Sequence, residues 1–549
     1  MKIVCACLNS KYIHSSLAPW CLKAGVSAFC SSEHDTVVIE GTVNGNISSF
    51  VQNIISEKPD IIAFSCYIWN ITKTMEAVKL IKEKYNVIIA VGGPEAAYNA
   101  DSILKGNSCV DYVLSGEGEW TFSAFIEAMD CNNDIYTCEG ISFYQDDKFI
   151  SVPEKEHTET PPSPYCDEYF SSLNGRIAYI ESSRGCPFRC AYCLSGRVSP
   201  LRYFDISQTK AHILKLAASG TKTIKFIDRT FNADREKAND ILRFIRDNFN
   251  DSNPYGVCFH FEIAADILSE DTFELFSEMS DGLCQLEIGI QSYNESTLSY
   301  INRICNTERL DKNIKRLLSF GNMHIHTDLI AGLKGEDLES FKNSFNRAFS
   351  LRPDMLQLGF LKLLHGADMR EKHEIFPCVF SDSPPYEIIS NPLLSENDLK
   401  TIKNCENALD KLYNSRRFLF TVEYILSISS FSPFDFFTQL GKKLPRHELP
   451  LNKLIEDIYY FCSAFADKTI LKEKLLCDIV STKANIKLPD VLSRYSPLYK
   501  KNKKYYTEAL DENIKIVLLE SCNKVYIVSE NSKMLTNGRY EGSFYNLQH

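Results

Sequence analysis

Short apolar runs alternate with amphipathic stretches along the first part of the chain. Lys2 to Leu8, Asp35 to Ile39, Asp60 to Cys66, Asn86 to Val91 and Asp111 to Ser115 read as buried strands. Between them, Ile47 to Ser56 and Thr72 to Lys84 place apolar residues at helical spacing. Strands and helices alternating at this interval predict an α/β domain, a doubly wound, Rossmann-like parallel sheet covered on both faces, over residues 1–150. Ligands in such sheets bind beyond the carboxyl ends of the strands. The polar residues and glycines fall there: Asn9-Ser-Lys-Tyr-Ile-His14, Ser65-Cys-Tyr-Ile-Trp-Asn70, Gly92-Gly-Pro-Glu95 and Gly116-Glu-Gly-Glu119.

Residues 151–172 set Pro153, Pro161, Pro162 and Pro164 among polar neighbours, the composition of an extended linker. A second alternation fills residues 173–380. Ile177 to Ser182, Thr223 to Ile227, Cys258 to Ala264, Gln285 to Ile290, His324 to Ala331 and Met355 to Lys362 read as strands, separated by helices such as Ile206 to Ala218 and Asp234 to Phe249. Six such units predict a partial (β/α)6 barrel of the TIM type, with its chemistry at the carboxyl ends of the strands. Beyond Pro384-Pro-Tyr-Glu387 and Asn391-Pro-Leu-Leu394 the pattern changes. Residues 381–549 read as a mainly helical domain, with helices over Glu396 to Asn414 and Leu451 to Phe465 and a hairpin of Ile514 to Ser521 with Lys524 to Ser529.

Composition narrows the partners. The chain has 549 residues, 44% of them hydrophobic, and a net charge of −11. That balance disfavours a polyanionic partner such as nucleic acid, and the lysine run Lys500-Lys-Asn-Lys-Lys504 reads as a solvated helix end. The apolar stretch Phe418 to Phe431 is interrupted by Glu423, so no membrane span is expected, and the amino terminus lacks a secretory pattern. Most of the 20 cysteines stand singly in apolar runs, for example Cys66, Cys109, Cys258 and Cys284, which fits reduced thiols in a cytoplasmic protein.

Three cysteines break that habit. In Glu181-Ser-Ser-Arg-Gly-Cys-Pro-Phe-Arg-Cys-Ala-Tyr-Cys193, Cys186, Cys190 and Cys193 follow the first strand of the second alternation. Three thiolates leave one iron of a 4Fe-4S cluster open to a small molecule. A structural zinc site is the competing use of such cysteines, but no second pair follows at zinc-ribbon distance, and Gly185 and Pro187 oppose a helix. With Tyr192 before the last cysteine, the motif resembles the Cys-x3-Cys-x-aromatic-Cys signature of the radical S-adenosylmethionine (radical SAM) superfamily.

The upstream Gly-Gly-Pro-Glu and Gly-Glu-Gly-Glu loops are similar to those of cobalamin-dependent members, several of which end in an uncharacterised domain. The resemblance implies a 4Fe-4S cluster on Cys186, Cys190 and Cys193, and S-adenosylmethionine near Tyr192, Asp228, Glu262, Glu287, Gln291 and Gly332. A structural arginine is the alternative partner of Glu262 and Glu287. It implies cobalamin against Ser10, Tyr12, Ser65, Trp69, Asn70, Gly92, Gly93, Pro94, Glu95, Gly116, Glu117 and Gly118. The first loop departs from the family's Asp-x-His-x-x-Gly, since Tyr12-Ile-His14-Ser-Ser-Leu17 lacks the aspartate and the glycine, which argues against His14 as a cobalt ligand. His324 and His326 share a strand face, but two ligands make weak evidence for a metal. The activity implied is reductive cleavage of S-adenosylmethionine to a 5'-deoxyadenosyl radical and methylation of an unactivated carbon through methylcobalamin. A radical cyclisation or rearrangement using cobalamin as electron acceptor is the second reading, and a non-catalytic corrinoid or iron-sulfur sensor the third. An external one-electron reductant such as ferredoxin or flavodoxin, and a small-molecule or peptide substrate, would be the partners.

Overall fold

The structure is a computed structural model describing residues 1–131, 134–197, 201–493 and 497–547. It divides into two compact units, one of Met1–Gln285, Leu298–Cys305 and Phe360–Asn391, the other of Leu286–Thr297, Asn306–Gly359 and Pro392–His549.

The first unit begins with a sheet of β1 (Lys2–Asn9), β2 (Asp35–Thr42), β3 (Ile61–Ser65), β4 (Ile88–Gly92), β5 (Tyr112–Leu114), β6 (Ile141–Gln145) and β7 (Lys148–Ser151). Its order is β2-β1-β3-β4-β5-β6-β7, and the first five strands run parallel. Residues of β1, β3 and β4 such as Ile3, Val4, Ile61, Ile62 and Ile89 are wholly buried, because helices cover both faces. The last two strands add an antiparallel edge that the apolar pattern did not reveal. Asp146 and Asp147 both take positive φ, 47° and 59°, in the two-residue turn that joins them. The proline-rich connector ends in a short helix, Asp167–Ser171, whose Tyr169 is fully buried and meets Trp20 edge-on.

The same unit holds β8 (Ile177–Ile180), the two-residue β9 (Ser183–Arg184) and its antiparallel partner β10 (Arg202–Tyr203), then β11 (Thr223–Phe226) and β12 (Cys258–Glu262). β8, β11 and β12 pair in parallel, with helices Ile206–Ala218 and Arg235–Phe249 between them in sequence. One place where the second sheet meets the first sheet's domain is the start of β8. Ile177 donates to the Ile13 carbonyl at 2.7 Å, and His14 and Ile177 form a parallel bridge.

β14 (His324–Ala331) and all but the ends of β13 (Cys284–Gln291) and β15 (Met355–Phe360) lie in the second unit and follow the same strand-helix rhythm through helices Thr307–Phe320 and Leu338–Ser350. Buried and half-buried residues alternate strictly along β13 and β14. The remainder is mainly helical, as expected, and closes on a three-stranded antiparallel sheet of Ile514–Leu519, Lys524–Ser529 and Ser543–Asn546. The apolar run near Glu423 is the helix Leu419–Ile428, with Val422 and Ile425 in the core. Among the described residues no helix is long and apolar enough to cross a membrane.

Candidate functional site: a cavity and a cysteine loop in one unit

The carboxyl ends of β1, β3, β4 and β5 open on a cavity of about 650 Å³. Its lining sets polar loop residues beside Ala63, Ala90 and Leu114 on the sheet and Leu22 and Phe122 on the flanking helices. Of the residues expected to hold a corrinoid, Ser10, Ser65, Trp69, Gly92, Gly93, Gly116, Glu117 and Gly118 line it. Gly93 adopts φ 93° and lies so close to the third loop that a Cβ there would stand 2.6 Å from the Cys66 carbonyl oxygen. Trp69 is half exposed and stacks on Tyr67 with ring centroids 4.4 Å apart, so it is not a core residue.

Four of the expected residues do other work. Asn70 is fully buried and clamps the third loop: its side chain accepts from the Tyr67 amide at 2.7 Å and donates to the carbonyls of Ser65 and Leu8 at 3.0 and 3.1 Å. Tyr12 projects outward, with Arg176 over its ring. Pro94 starts a short helix, Pro94–Ala97, and the carboxylate of Glu95 accepts from the Tyr386 hydroxyl. His14 lines the cavity, its Nδ1 2.7 Å from the Tyr179 hydroxyl, while burial and then the charges of Lys11, Lys225 and Arg176 lower its pKa.

The cysteine loop leaves the end of β9 through Gly185, at φ 101°. All three thiols are free, Cys190 buried and Cys186 and Cys193 half-buried. The loop folds on itself: the Cys193 amide donates to the Cys190 carbonyl at 3.0 Å, and the Ser195 amide points at the Cys193 sulfur at 3.4 Å. Thr230, just beyond β11, sets its hydroxyl 3.6 Å from the Cys186 sulfur. Burial pushes the Cys190 thiol up, and the Arg303 guanidinium, 4.0 Å away, pulls it down. A positive charge and amide donors facing sulfurs suit thiolates.

Three family models match the chain in series: a B12 binding domain over residues 3–126, the radical SAM superfamily over 180–348, and a protein of unknown function (DUF4080) over 374–535. This is a B12-binding radical SAM protein. It is 26% identical over 325 residues to the 2-(S-pantetheinyl)-carbapenam-3-carboxylate methyltransferase of Streptantibioticus cattleyicolor, covering 52% of this chain and 44% of that one. The chain thus spans less than half of that relative's length. An uncharacterized methyltransferase of Pyrococcus horikoshii is 24% identical over 348 residues, 61% of this chain and 74% of that one. Among solved structures, the cobalamin-dependent S-adenosylmethionine radical enzyme OxsB, with aqua-cobalamin and S-adenosylmethionine bound, superimposes with a TM-score of 0.62 at 14% identity. That match covers 92% of this chain and 84% of OxsB and shows a shared fold.

In this radical SAM protein the residues expected near S-adenosylmethionine are spread over both units. In the first, Tyr192 is half-buried beside Cys190, and Asp228 is 1% exposed just past β11. Asp228 accepts three hydrogen bonds, from the Ser182 amide at 3.0 Å and from the hydroxyls of Ser182 and Ser183 at 2.6 and 2.5 Å. Burial pushes its carboxyl up to about 6 despite those donors. Glu262 ends β12, 3.5 Å from the Lys225 ammonium, a lysine where the alternative weighed above was an arginine. In the second unit, Glu287 of β13 and His326 and Asp328 of β14 bring one ligand atom each within 4.8 Å of one another. Gln291 closes β13 at φ 71°, and Gly332 follows β14 at φ 96°. Glu336, in the same glycine segment, is fully buried, accepts from Ser292 and Ser344, and is pushed by burial up to about 7.

Arg184, Glu119, Glu181 and Arg202 were not among the expected site residues, although Glu117 was. Arg184, two places before Cys186, bonds to Glu117 and Glu119 of the fifth-strand loop, the latter at 2.9 Å, and to Glu181 at 2.8 Å. Arg202 takes the other oxygen of Glu117. Glu117, Glu119, Glu181 and Arg184 all line the cavity, so one buried ion network joins the B12 domain to the root of the cysteine loop. The sequence signal was present as an arginine inside the cysteine motif and paired glutamates in the glycine loop.

Proposed function

We propose that the chain is a cobalamin-dependent radical SAM enzyme that methylates an unactivated carbon of a small molecule or peptide. The observation that carries this reading is the union, within one unit, of a glycine-lined cavity at the sheet's carboxyl ends and a three-thiol loop rooted at the same cavity wall through Arg184. Both donor sets fit the implied groups. The lining combines apolar sheet and helix residues with polar loop residues, which suits a macrocycle with a polar tail, and Gly93 lets the third and fourth loops of the rim pack closely. Cys186, Cys190 and Cys193 would hold a 4Fe-4S cluster with one iron free for S-adenosylmethionine.

When bound, the cluster and S-adenosylmethionine supply one-electron reductive cleavage to a hydrogen-abstracting species, and cobalamin supplies a methyl carrier. The chain itself supplies position and dryness. Arg303 and the Ser195 amide stabilise anionic sulfur. Asn70 fixes the loop that carries the Tyr67–Trp69 stack, and these two rings wall the cavity against water. Asp228 pins Ser182 and Ser183, four and three residues before the first cysteine, and so sets where the loop starts. A ferredoxin- or flavodoxin-type donor would deliver the electron.

The test is anaerobic reconstitution with iron, sulfide and hydroxocobalamin, followed by reductant and S-adenosylmethionine. Corrinoid bands, a broad iron-sulfur absorption and release of 5'-deoxyadenosine are expected. Loss of 5'-deoxyadenosine in Cys190→Ala supports the reading, and its absence from the reconstituted wild-type chain refutes it.

A further inference from the structure

The DUF4080 match begins at residue 374, yet the first unit keeps residues 360–391 for itself. This segment folds back on its own backbone: Leu363 donates to the Tyr386 carbonyl at 3.0 Å, Ile388 to the Leu361 carbonyl at 2.9 Å, and Lys362 bridges Glu387. Leu361, Leu363, Ala367, Met369, Tyr386 and Ile388 are all buried. Arg370 locks the fold, stacking over Tyr386 at 4.6 Å and donating to the Leu363 carbonyl at 2.6 Å.

Its two ends of contact are the two loops assigned above to different cofactors. On one side Met369 donates its amide to the carbonyl of Ala191, between Cys190 and Tyr192, at 2.9 Å, and Asp368 pairs with Arg197 at 3.1 Å. On the other, Tyr386 donates its hydroxyl to Glu95 in the Gly-Gly-Pro-Glu loop, at a site where Glu95 is 4% exposed. Gly366, at φ 83°, sits against the ring of Tyr98, so that a Cβ there would come within 2.4 Å of it. We propose that residues 361–390 are a strap that sets the B12-domain loop against the cysteine loop, with Tyr386, through Glu95, as its positioning residue. Its meaning for catalysis rests on the functional reading, but the mechanical link does not.

The strap implies that slack introduced at Glu95 is felt at Ala191, on the far side of the segment. Hydrogen exchange on the full chain without cofactors reads this directly. The reporters are the amides of Ala96 and Ala97, bonded to Gly93, and of Ala191 and Cys193, bonded to Ile301 and Cys190. In Tyr386→Phe both pairs should exchange roughly tenfold faster, the loss expected for one buried hydrogen bond to a charged group, while helix Ala18–Phe29 stays unchanged. Glu95→Gln keeps an acceptor for the tyrosine and should restore most of the protection. Faster exchange confined to residues 361–390, or a uniform rise over the unit, overturns the proposal, because a merely structural tyrosine gives those patterns. A second arm titrates hydroxocobalamin: affinity several-fold weaker in Tyr386→Phe supports the strap, and equal affinity counts against it. If the wild-type chain takes up no corrinoid, the functional reading falls and the exchange arm alone decides the strap.

Discussion

Asp228 offers the clearest quantitative test, because its environment makes ionisation costly. The carboxyl is raised from 3.8 to about 6, by burial first, with the three serine donors opposing. Below about pH 4 the folded and unfolded chains are both protonated there. Between about 4 and 6 the unfolded chain ionises first, so the folded state binds more protons and loses stability as pH rises. Above about 6 the full penalty is present, about 3 kcal/mol at about 1.4 kcal/mol per pH unit. Asp228→Asn removes the titration while keeping the pattern of bonds: the amide oxygen accepts from the Ser182 amide, and the NH2 donates to the two serine hydroxyls. The variant should match the wild type at pH 4, gain on it through pH 6, and melt about 6 °C higher at pH 7.5, taking about 2 °C per kcal/mol for a unit of this size. Scanning calorimetry on the cofactor-free chain at a series of pH values measures the gap. A gap that is constant from pH 4 to 7.5 would refute both the raised pKa and the penalty built on it.

Cys190→Ala should abolish the iron-sulfur absorption and leave corrinoid uptake intact, checked by iron and sulfide analysis beside the visible spectrum; a full cluster would reject the assignment of the ligands. Gly93→Ala must carry a side chain at φ 93° with its Cβ 2.6 Å from a backbone oxygen, and should cost about 3 kcal/mol, read as a lower melting temperature. Arg184→Met leaves Glu119 and Glu181 without their main cation and should destabilise the first unit by about 3–5 kcal/mol. Burial pushes Glu119 up, but Arg184 holds it below the usual carboxylate range. The variant's deficit should therefore shrink at pH 5 relative to pH 8, as the freed carboxyl takes up a proton; an equal deficit at both would show that the network's charge is not what matters.

The alternation of fully apolar runs with helical stretches made the parallel strands legible, since burial on both faces leaves no other pattern for β1, β3 and β4. The edge hairpin escaped because Asp146-Asp147 lacks the glycine that usually marks such a turn. The loops that line the cavity were legible for the same reason as the strands that precede them: glycines and polar residues cluster where apolar runs stop. Partners distant in sequence were not. His14 is 165 residues from Tyr179, and Glu95 is 291 residues from Tyr386, so nothing local announces either pair. Asp228 shows the limit of a motif. Its place at the strand end was readable, but its binding to Ser182 and Ser183 depends on how β8 and β11 pair, which brings those serines beside it.

The backbone junction between the first rim loop and the start of β8 bears on how such proteins can be recombined. Ile13 and His14 find backbone partners on Ile177, Ser15 donates to the Ile177 carbonyl at 2.7 Å, and Glu40 of β2 neutralises Arg176. A chimera spliced at residue 152 would keep every strand of the first sheet but take the rim loop's hydrogen-bonding partners from a foreign chain. A junction placed after β8 would keep those partners together, so the barrel's opening strand is best carried with the B12 domain whose rim loop it completes.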